Sequence, residues 1–314
     1  MALDRRRFLA GSAAAAAASV MSFGFEEKSL ATAGGPDSGQ PERGPLLPTG
    51  RLGRYEITRL IGGGNLTSGF AHSRDLLYVS SLLRHYFTDD KVFETWRLCE
   101  AQGINAMILR VDDHVIRLVT EYRKRYGGGF HWLAQCKPTE GNLMGDAQRA
   151  LDHGAIAVYI HGGVAESWVE QGRMDLIEKT LQAMRKTGAL IGVAGHEINV
   201  VIACEAAGLD LDFYMKTLNS KQYWSAGPMP RHDSVWAETP QITIDVMKTV
   251  QRPWIGYKVL GAGAIHPREG FQYALANGCD FLCVGMFDFQ VAEDVGIMRR
   301  LLSAPLKRQR PWRA

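Results

Sequence analysis

The chain has 314 residues, 46% of them apolar, and a formal net charge of +3. That is ample for one core of the size of an α/β barrel, about 250 residues, although two domains of about 150 would also fit. The charge is too mild for a nucleic-acid partner, and its basic residues gather at the two ends of the chain.

The N-terminus reads Asp4-Arg5-Arg6-Arg7-Phe8-Leu9-Ala10, followed by an Ala-rich run from Gly11 to Met21. It resembles the twin-arginine export consensus: two arginines, any residue, then Phe-Leu. The run is too short and too mildly apolar for an ordinary membrane span. Ala31-Thr32-Ala33 offers a small-x-small cleavage site. Residues 1–33 are therefore read as an export signal, with a periplasmic or secreted destination and the twin-arginine machinery as a partner. Residues 34–50, rich in Gly, Pro and Ser, read as a flexible linker.

From residue 51 to 304 short apolar runs alternate with amphipathic stretches. Eight runs read as strands: Ile57 to Gly62, Ala106 to Val111, Trp132 to Cys136, Ala155 to Ile160, Leu190 to Ala194, Leu211 to Met215, Trp254 to Leu260 and Phe281 to Val284. Most are continuous, as expected of parallel strands buried on both faces. Between them the 3.6-residue period predicts helices such as Lys91 to Gln102, Val115 to Tyr126 and Asp175 to Thr187. Gly103, Gly127, Gly154, Gly188, Gly208 and Gly278 follow helices, and Pro240 and Pro267 open them. Eight near-equal strand–helix units predict an α/β fold, a single (β/α)8 TIM barrel. The long segment from Thr217 to Thr239 is a candidate functional loop. Residues 305–314 read as a solvated basic tail. The five cysteines lack CxxC spacing and read as small core residues; their odd number leaves at least one thiol free.

In such barrels the chemistry lies at the C-terminal strand ends. Each predicted strand places a polar residue there: Asn65; Asp112 and His114; Lys137; His161; His196; Lys216 and Asn219; Tyr257, Lys258 and the Gly261-Ala262-Gly263 turn; and Asp288 with Gln290. Tyr257 and Lys258 cannot both face inward while the strand continues.

In their order along the chain, several segments resemble the aldo/keto reductases, a superfamily of (β/α)8 barrels. They are Gly53-Arg54-Tyr55-Glu56-Ile57, Val111-Asp112, Gln135-Cys136-Lys137, Tyr159-Ile160-His161-Gly162, Ile191-Gly192-Val193-Ala194-Gly195-His196, Tyr257 and Val284-Gly285-Met286. The resemblance implies NADP or NAD as cofactor and a small carbonyl or sugar as substrate. It implies that Asp112 pairs with Lys137 to tune an acid, and that His161 polarises the carbonyl. It also implies a cofactor seat built from His196, Asn219, Tyr257, Gly261, Gly263 and Gly285. The family's proton-donating tyrosine has no counterpart about five residues after Asp112; the nearest is Tyr122, and His114 is the substitute candidate. Phe287-Asp288-Phe289-Gln290 stands where the family has basic residues, and Asp288 would repel a 2′-phosphate.

Three alternatives stay open. Lys216 and Lys258 together suit a Schiff-base lyase or aldolase, and Lys258-Val259-Leu260-Gly261 is similar to the lysine turn of barrel aldolases. His114, His161 and His196, with His232, Asp233 and Glu238, suit a metal-dependent sugar isomerase, epimerase or hydrolase, though no ligand spacing picks out a metal site. Trp168, Tyr223, Trp224 and Trp236 suit a non-catalytic carbohydrate-binding barrel. The oligomeric state is not legible.

Overall fold

The computed structural model of the chain describes residues 47–70, 76, 78–223 and 239–314. The export motif, most of the linker, and Trp224, His232, Asp233, Trp236 and Glu238 lie outside them. The described chain enters through an antiparallel hairpin, β1 (Thr49–Leu52) and β2 (Tyr55–Thr58), so β1 begins inside the segment read as linker. Eight parallel strands follow: β3 (Leu60–Gly63), β4 (Ala106–Arg110), β5 (His131–Cys136), β6 (Ala155–Ile160), β7 (Leu190–Gly195), β8 (Phe213–Thr217), β9 (Trp254–Tyr257) and β10 (Phe281–Val284). They close in sequence order, β10 pairing with both β9 and β3, so the chain is a single (β/α)8 barrel.

The helices are α1 (Tyr78–Tyr86), α2 (Asp89–Ala101), α3 (Asp113–Tyr126), α4 (Gly145–Asp152), α5 (Gly162–Glu170), α6 (Met174–Arg185), α7 (Ile198–Ala206), α8 (Pro240–Thr249), α9 (Pro267–Ala276) and α10 (Asp288–Leu302). Strand alternation divides the apolar residues into two layers. Ile61, Ile108, Leu133, Tyr159, Met215 and Phe281 fill the barrel interior. Leu109, Trp132, Val158, Val193, Tyr214 and Trp254 face the helices. Leu52 and Ile57 of the hairpin join the inner layer. Each such side chain, fully buried, contributes about 1.5–3 kcal/mol over its exposed state.

The structure corrects several expected elements. The run from Ile57 to Gly62 is two strands, broken at Arg59, whose buried guanidinium donates to Asp280 O (2.9 Å) and Ala314 O (2.7 Å). β8 sits two residues later than expected, and β9 ends at Tyr257, before Lys258. The tail is not a solvated segment. Arg310 is fully buried and donates to Asp280 Oδ2 at 2.6 Å. Arg308 donates to Leu275 O and Cys279 O, and Trp312 lies between the Arg59 and Arg308 guanidiniums, 4.0 and 3.4 Å from its ring centroid. Burial pushes Arg308 down to about 10. The tail thus seals the N-terminal ends of β3, β9 and β10. Trp168, a candidate sugar-stacking residue, is 8% exposed and packs in the outer core. All five cysteines are free, four of them buried.

Candidate active site at the C-terminal mouth

β6 ends at Ile160, and His161 then caps α5: its Nδ1 accepts a hydrogen bond from the Gly163 amide at 3.1 Å. Nδ1 therefore carries a lone pair, and in the neutral ring the proton sits on Nε2. Burial, then the Lys137 and His196 charges, push His161 down to about 4, so the ring is neutral at ordinary pH. Lys137 is its neighbour because β5 and β6 run in register to Cys136 and Ile160, and the His161 amide donates to Cys136 O (2.8 Å).

β7 delivers His196 to the same rim. Its ring lies 6.3 Å from that of His161, centroid to centroid, and 5.5 Å from that of Tyr257. His196 Nδ1 is 3.0 Å from Glu166 Oε2, and the backbone amides of His196 and Glu197 both donate to Glu166 Oε1. The carboxylate therefore fixes the imidazole and leaves Nε2 facing away from it. Burial lowers His196, and Glu166 only partly offsets this against the Lys258 and Lys216 charges. For Glu166 burial acts upward, but its bonds from His196 and Glu197 outweigh it and hold the carboxyl below its usual value.

Tyr257 closes the third side. It packs against the inner layer, so it is the inward residue of the pair with Lys258. Its hydroxyl is buried and has no hydrogen-bond partner among the described residues. Burial raises it well above the phenol range. A Cβ added at Gly162 would lie 3.1 Å from His196 Nδ1 and 3.2 Å from the Tyr257 hydroxyl, so the glycine keeps this corner uncrowded. Lys258 follows with φ +57°, a left-handed conformation that turns the chain out of the strand, and its charge reaches both histidines. Buried Asn219 donates to Lys258 O (3.3 Å), tying the loop after β8 to the one after β9.

The other candidates fall elsewhere. Asp112 caps α3, accepting from Val115 N at 2.9 Å, and pairs with Arg110 Nε at 2.6 Å. Lys137 is exposed and forms no ion pair with it. Asp112 thus does capping work of about 1 kcal/mol rather than tuning a lysine. His114 lies on the exposed face of α3, 3.4 Å from Arg117. Lys216 is 1% exposed, on the outward side of β8, and its Nζ donates to Thr217 O (2.9 Å) and Oγ1 (2.8 Å). Burial pushes this amine down to about 7. Gly285 packs against Gly63, whose own Cβ would meet the Gly285 nitrogen at 2.8 Å. Gly261, Ala262 and Gly263 form a left-handed turn, and space is open where a Gly263 side chain would stand. Asp288 is held by Tyr86 (2.6 Å) and Lys91 (3.1 Å), so its charge is locally compensated. No group of three metal-ligating side chains occurs among the described residues. Sequence reading missed Glu166, which lies in a helix opened by two glycines and capped by a histidine.

Two solved structures from Pseudomonas aeruginosa, each provisionally described as an aldo-keto reductase, share this architecture. One superposes with a TM-score of 0.58 at 15% identity, covering 81% of this chain and 94% of the other. The second gives 0.56 at 14% identity, covering 81% and 95%. No protein-family model matches the chain, and no curated protein sequence does. The likeness is therefore one of fold: this chain has the same barrel as those two structures, at an identity too low to carry more.

Proposed function

We propose that this chain is an enzyme that transforms a small carbonyl compound at the C-terminal mouth of its barrel, with a nicotinamide as redox partner. One observation carries the reading: the Gly163 amide donates to His161 Nδ1, which puts the donor proton of the neutral ring on Nε2, and burial pushes the ring's pKa down to about 4. Such a donor polarises a carbonyl without surrendering its proton to water. The barrel shared with structures described as aldo-keto reductases makes nicotinamide chemistry the first to test.

The residues fit part of that cofactor. The inward Tyr257 ring suits a nicotinamide, and Asn219 and the space at Gly263, open among the described residues, suit its neighbourhood. A bound nicotinamide supplies hydride. The region after β10 offers Phe287, the exposed Phe289 and Asp288, whose charge Lys91 compensates, so NADH and NADPH are both tested. Adding the protein to NADH and DL-glyceraldehyde is expected to consume absorbance at 340 nm, with His161→Ala about 100-fold slower, the usual effect of removing one such donor. Failure of both NADH and NADPH to bind at millimolar concentration would sink the nicotinamide part of the proposal.

A second reading rests on the lysines. Lys216 near its neutral form suits a Schiff base, but its amine is sealed beneath Thr217, which leaves Lys258 as the accessible nucleophile. Borohydride trapping with glycolaldehyde distinguishes it: a mass adduct on Lys258 favours the lyase, and an unmodified chain excludes it.

The N-terminal motif supports export by the twin-arginine route to the periplasm or beyond. Replacing Arg5 and Arg6 by lysine is expected to retain the chain in the cytoplasmic fraction; unchanged fractionation would remove the assignment.

A further inference from the structure

We propose that the N-terminal end of the barrel carries a second binding site, for a small zwitterion with an apolar body, such as a free aliphatic amino acid. The site is independent of the chemistry at the mouth, which lies at the other end of the strands.

A cavity of about 440 Å³ opens there. Small-ligand sites span about 300–1,000 Å³, so it has the right size. Its walls come from three places: the hairpin turn between β1 and β2, the end of α4 with the start of β6, and the turn before β7. The hairpin approaches this closely because Gly53 has no side chain; a Cβ there, at φ +58°, would collide with Leu190. The turn thereby sets Arg54 on the cavity wall. β6 contributes a bulge: Trp132 and Leu133 pair with Ala155 and Ala157, so Ile156 is unpaired and packs toward the inner layer as Ala157 does. Such bulges re-aim a side chain at a barrel rim. Ile156 stays partly exposed and, with Leu151 and the Tyr55 ring, gives the cavity its apolar part. On the far side Gly188 leaves open space where a side chain would stand.

The polar groups decide what binds. The Arg54 guanidinium lies over the Tyr55 ring, 5.1 Å from its centroid, and its Nη2 donates to the Tyr55 hydroxyl at 2.9 Å. These contacts steady the guanidinium and leave its other donors unused; among the described residues no carboxylate pairs with it. Asp152 accepts from Gln148 Nε2 at 2.8 Å, and among the described residues no cation pairs with it. One cavity thus offers an unpaired cation and an unpaired anion beside an apolar surface. A guanidinium fork matches a carboxylate, and the Asp152 carboxylate matches an ammonium. A plain anion would meet Asp152 as a like charge, and a plain amine would meet Arg54 so; a molecule that carries both charges satisfies both. Both side chains are exposed, so each contact is screened, and the expected Kd is on the order of 1 mM.

The test follows backbone amides of the full chain by proton–nitrogen correlation NMR during addition of three probes. Leucine carries both charges, 4-methylpentanoate keeps only the carboxylate, and isoamylamine keeps only the ammonium. Leucine should shift the Gly154, Ala155 and Gly188 amides saturably, and each single-charge probe should bind about 5-fold more weakly, the weight of one screened ion pair. Two variants at exposed positions read the two ends separately. Arg54→Gln should remove the advantage of leucine over isoamylamine and keep its advantage over 4-methylpentanoate; Asp152→Asn should do the reverse. The absence of any saturable shift at these amides, well above the expected Kd, overturns the proposal. Leucine binding that neither variant weakens overturns it too, as do shifts confined to the mouth around His161. None of these outcomes depends on a nicotinamide or a carbonyl substrate, so failure here is distinct from failure of the function proposed above.

Discussion

Replacing Asp280 by alanine is expected to destabilise the barrel by about 3–5 kcal/mol, the loss seen when one member of a buried ion pair is removed. Asp280 has no exposed side-chain surface. Its Oδ2 accepts from Arg310 (2.6 Å) and from the amide that begins β9, Trp254 N (2.9 Å); its Oδ1 accepts from Arg313 N (2.9 Å). Truncation leaves two arginines, Arg308 and Arg310, uncompensated where water does not reach, and frees two backbone amides. At about 2–4 °C per kcal/mol for a domain of this size, the melting temperature should fall by roughly 10 °C. The contrasting variant is Asp210→Ala. That carboxylate pairs with Arg185 but is 79% exposed, so its loss should change stability by at most about 0.5 kcal/mol. Equal shifts in thermal melts of the two variants would show that the C-terminal tail is not a structural part of the barrel.

The same residues show where sequence reading reaches its end. The strands were legible because parallel strands buried on both faces are unbroken apolar runs, and Val158 to Ile160 or Phe281 to Val284 have no amphipathic alternative of the right length. The tail was not legible. Arg308 and Arg310 look like solvated charge because their counter-charge, Asp280, lies about thirty residues earlier, and only barrel closure brings them together. The break at Arg59 was hidden likewise, since its partners are Asp280 O and the chain's last residue.

At the site, His161 and His196 were found because strand-end position alone selects them. Their chemistry was not, because it depends on Glu166. α5 begins Gly162-Gly163, which reads as a turn, and its cap is an imidazole rather than one of the usual Ser, Thr, Asp or Asn side chains. The helix therefore left no start signal, and its carboxylate could not be assigned to the mouth. The Asp112–Lys137 pair fails for the opposite reason. Asp112 at the start of a helix carries a strong capping signal, and the local bond to Val115 N together with Arg110 two residues away takes the side chain before a cross-strand lysine can.

Lys216→Met should raise stability most at pH 6–7 and least near pH 10. The amine is 1% exposed and faces Thr217, not a carboxylate. Burial lowers its pKa from 10.5 to about 7. Between these values the unfolded chain holds the proton and the folded chain does not, so wild-type stability rises with pH across that window. Below about pH 7 both states are charged, and the fold bears the full desolvation penalty, about 5 kcal/mol by linkage. Methionine fills a similar volume without that penalty but forfeits the two hydrogen bonds, about 1 kcal/mol each. The net gain at pH 6 is then about 3 kcal/mol, shrinking above pH 7 as the folded amine loses its proton and reversing near pH 9. Denaturant midpoints of both chains from pH 6 to pH 10 decide the matter, since a pH-independent difference would mean that the amine is not held out of water. Lys216 also donates to the Thr217 hydroxyl, which in turn donates to His196 O at 3.0 Å, so the buried amine is linked to the backbone of His196. The methionine chain should therefore be the more stable at neutral pH and, on the function proposed above, the slower in kcat with KM little changed.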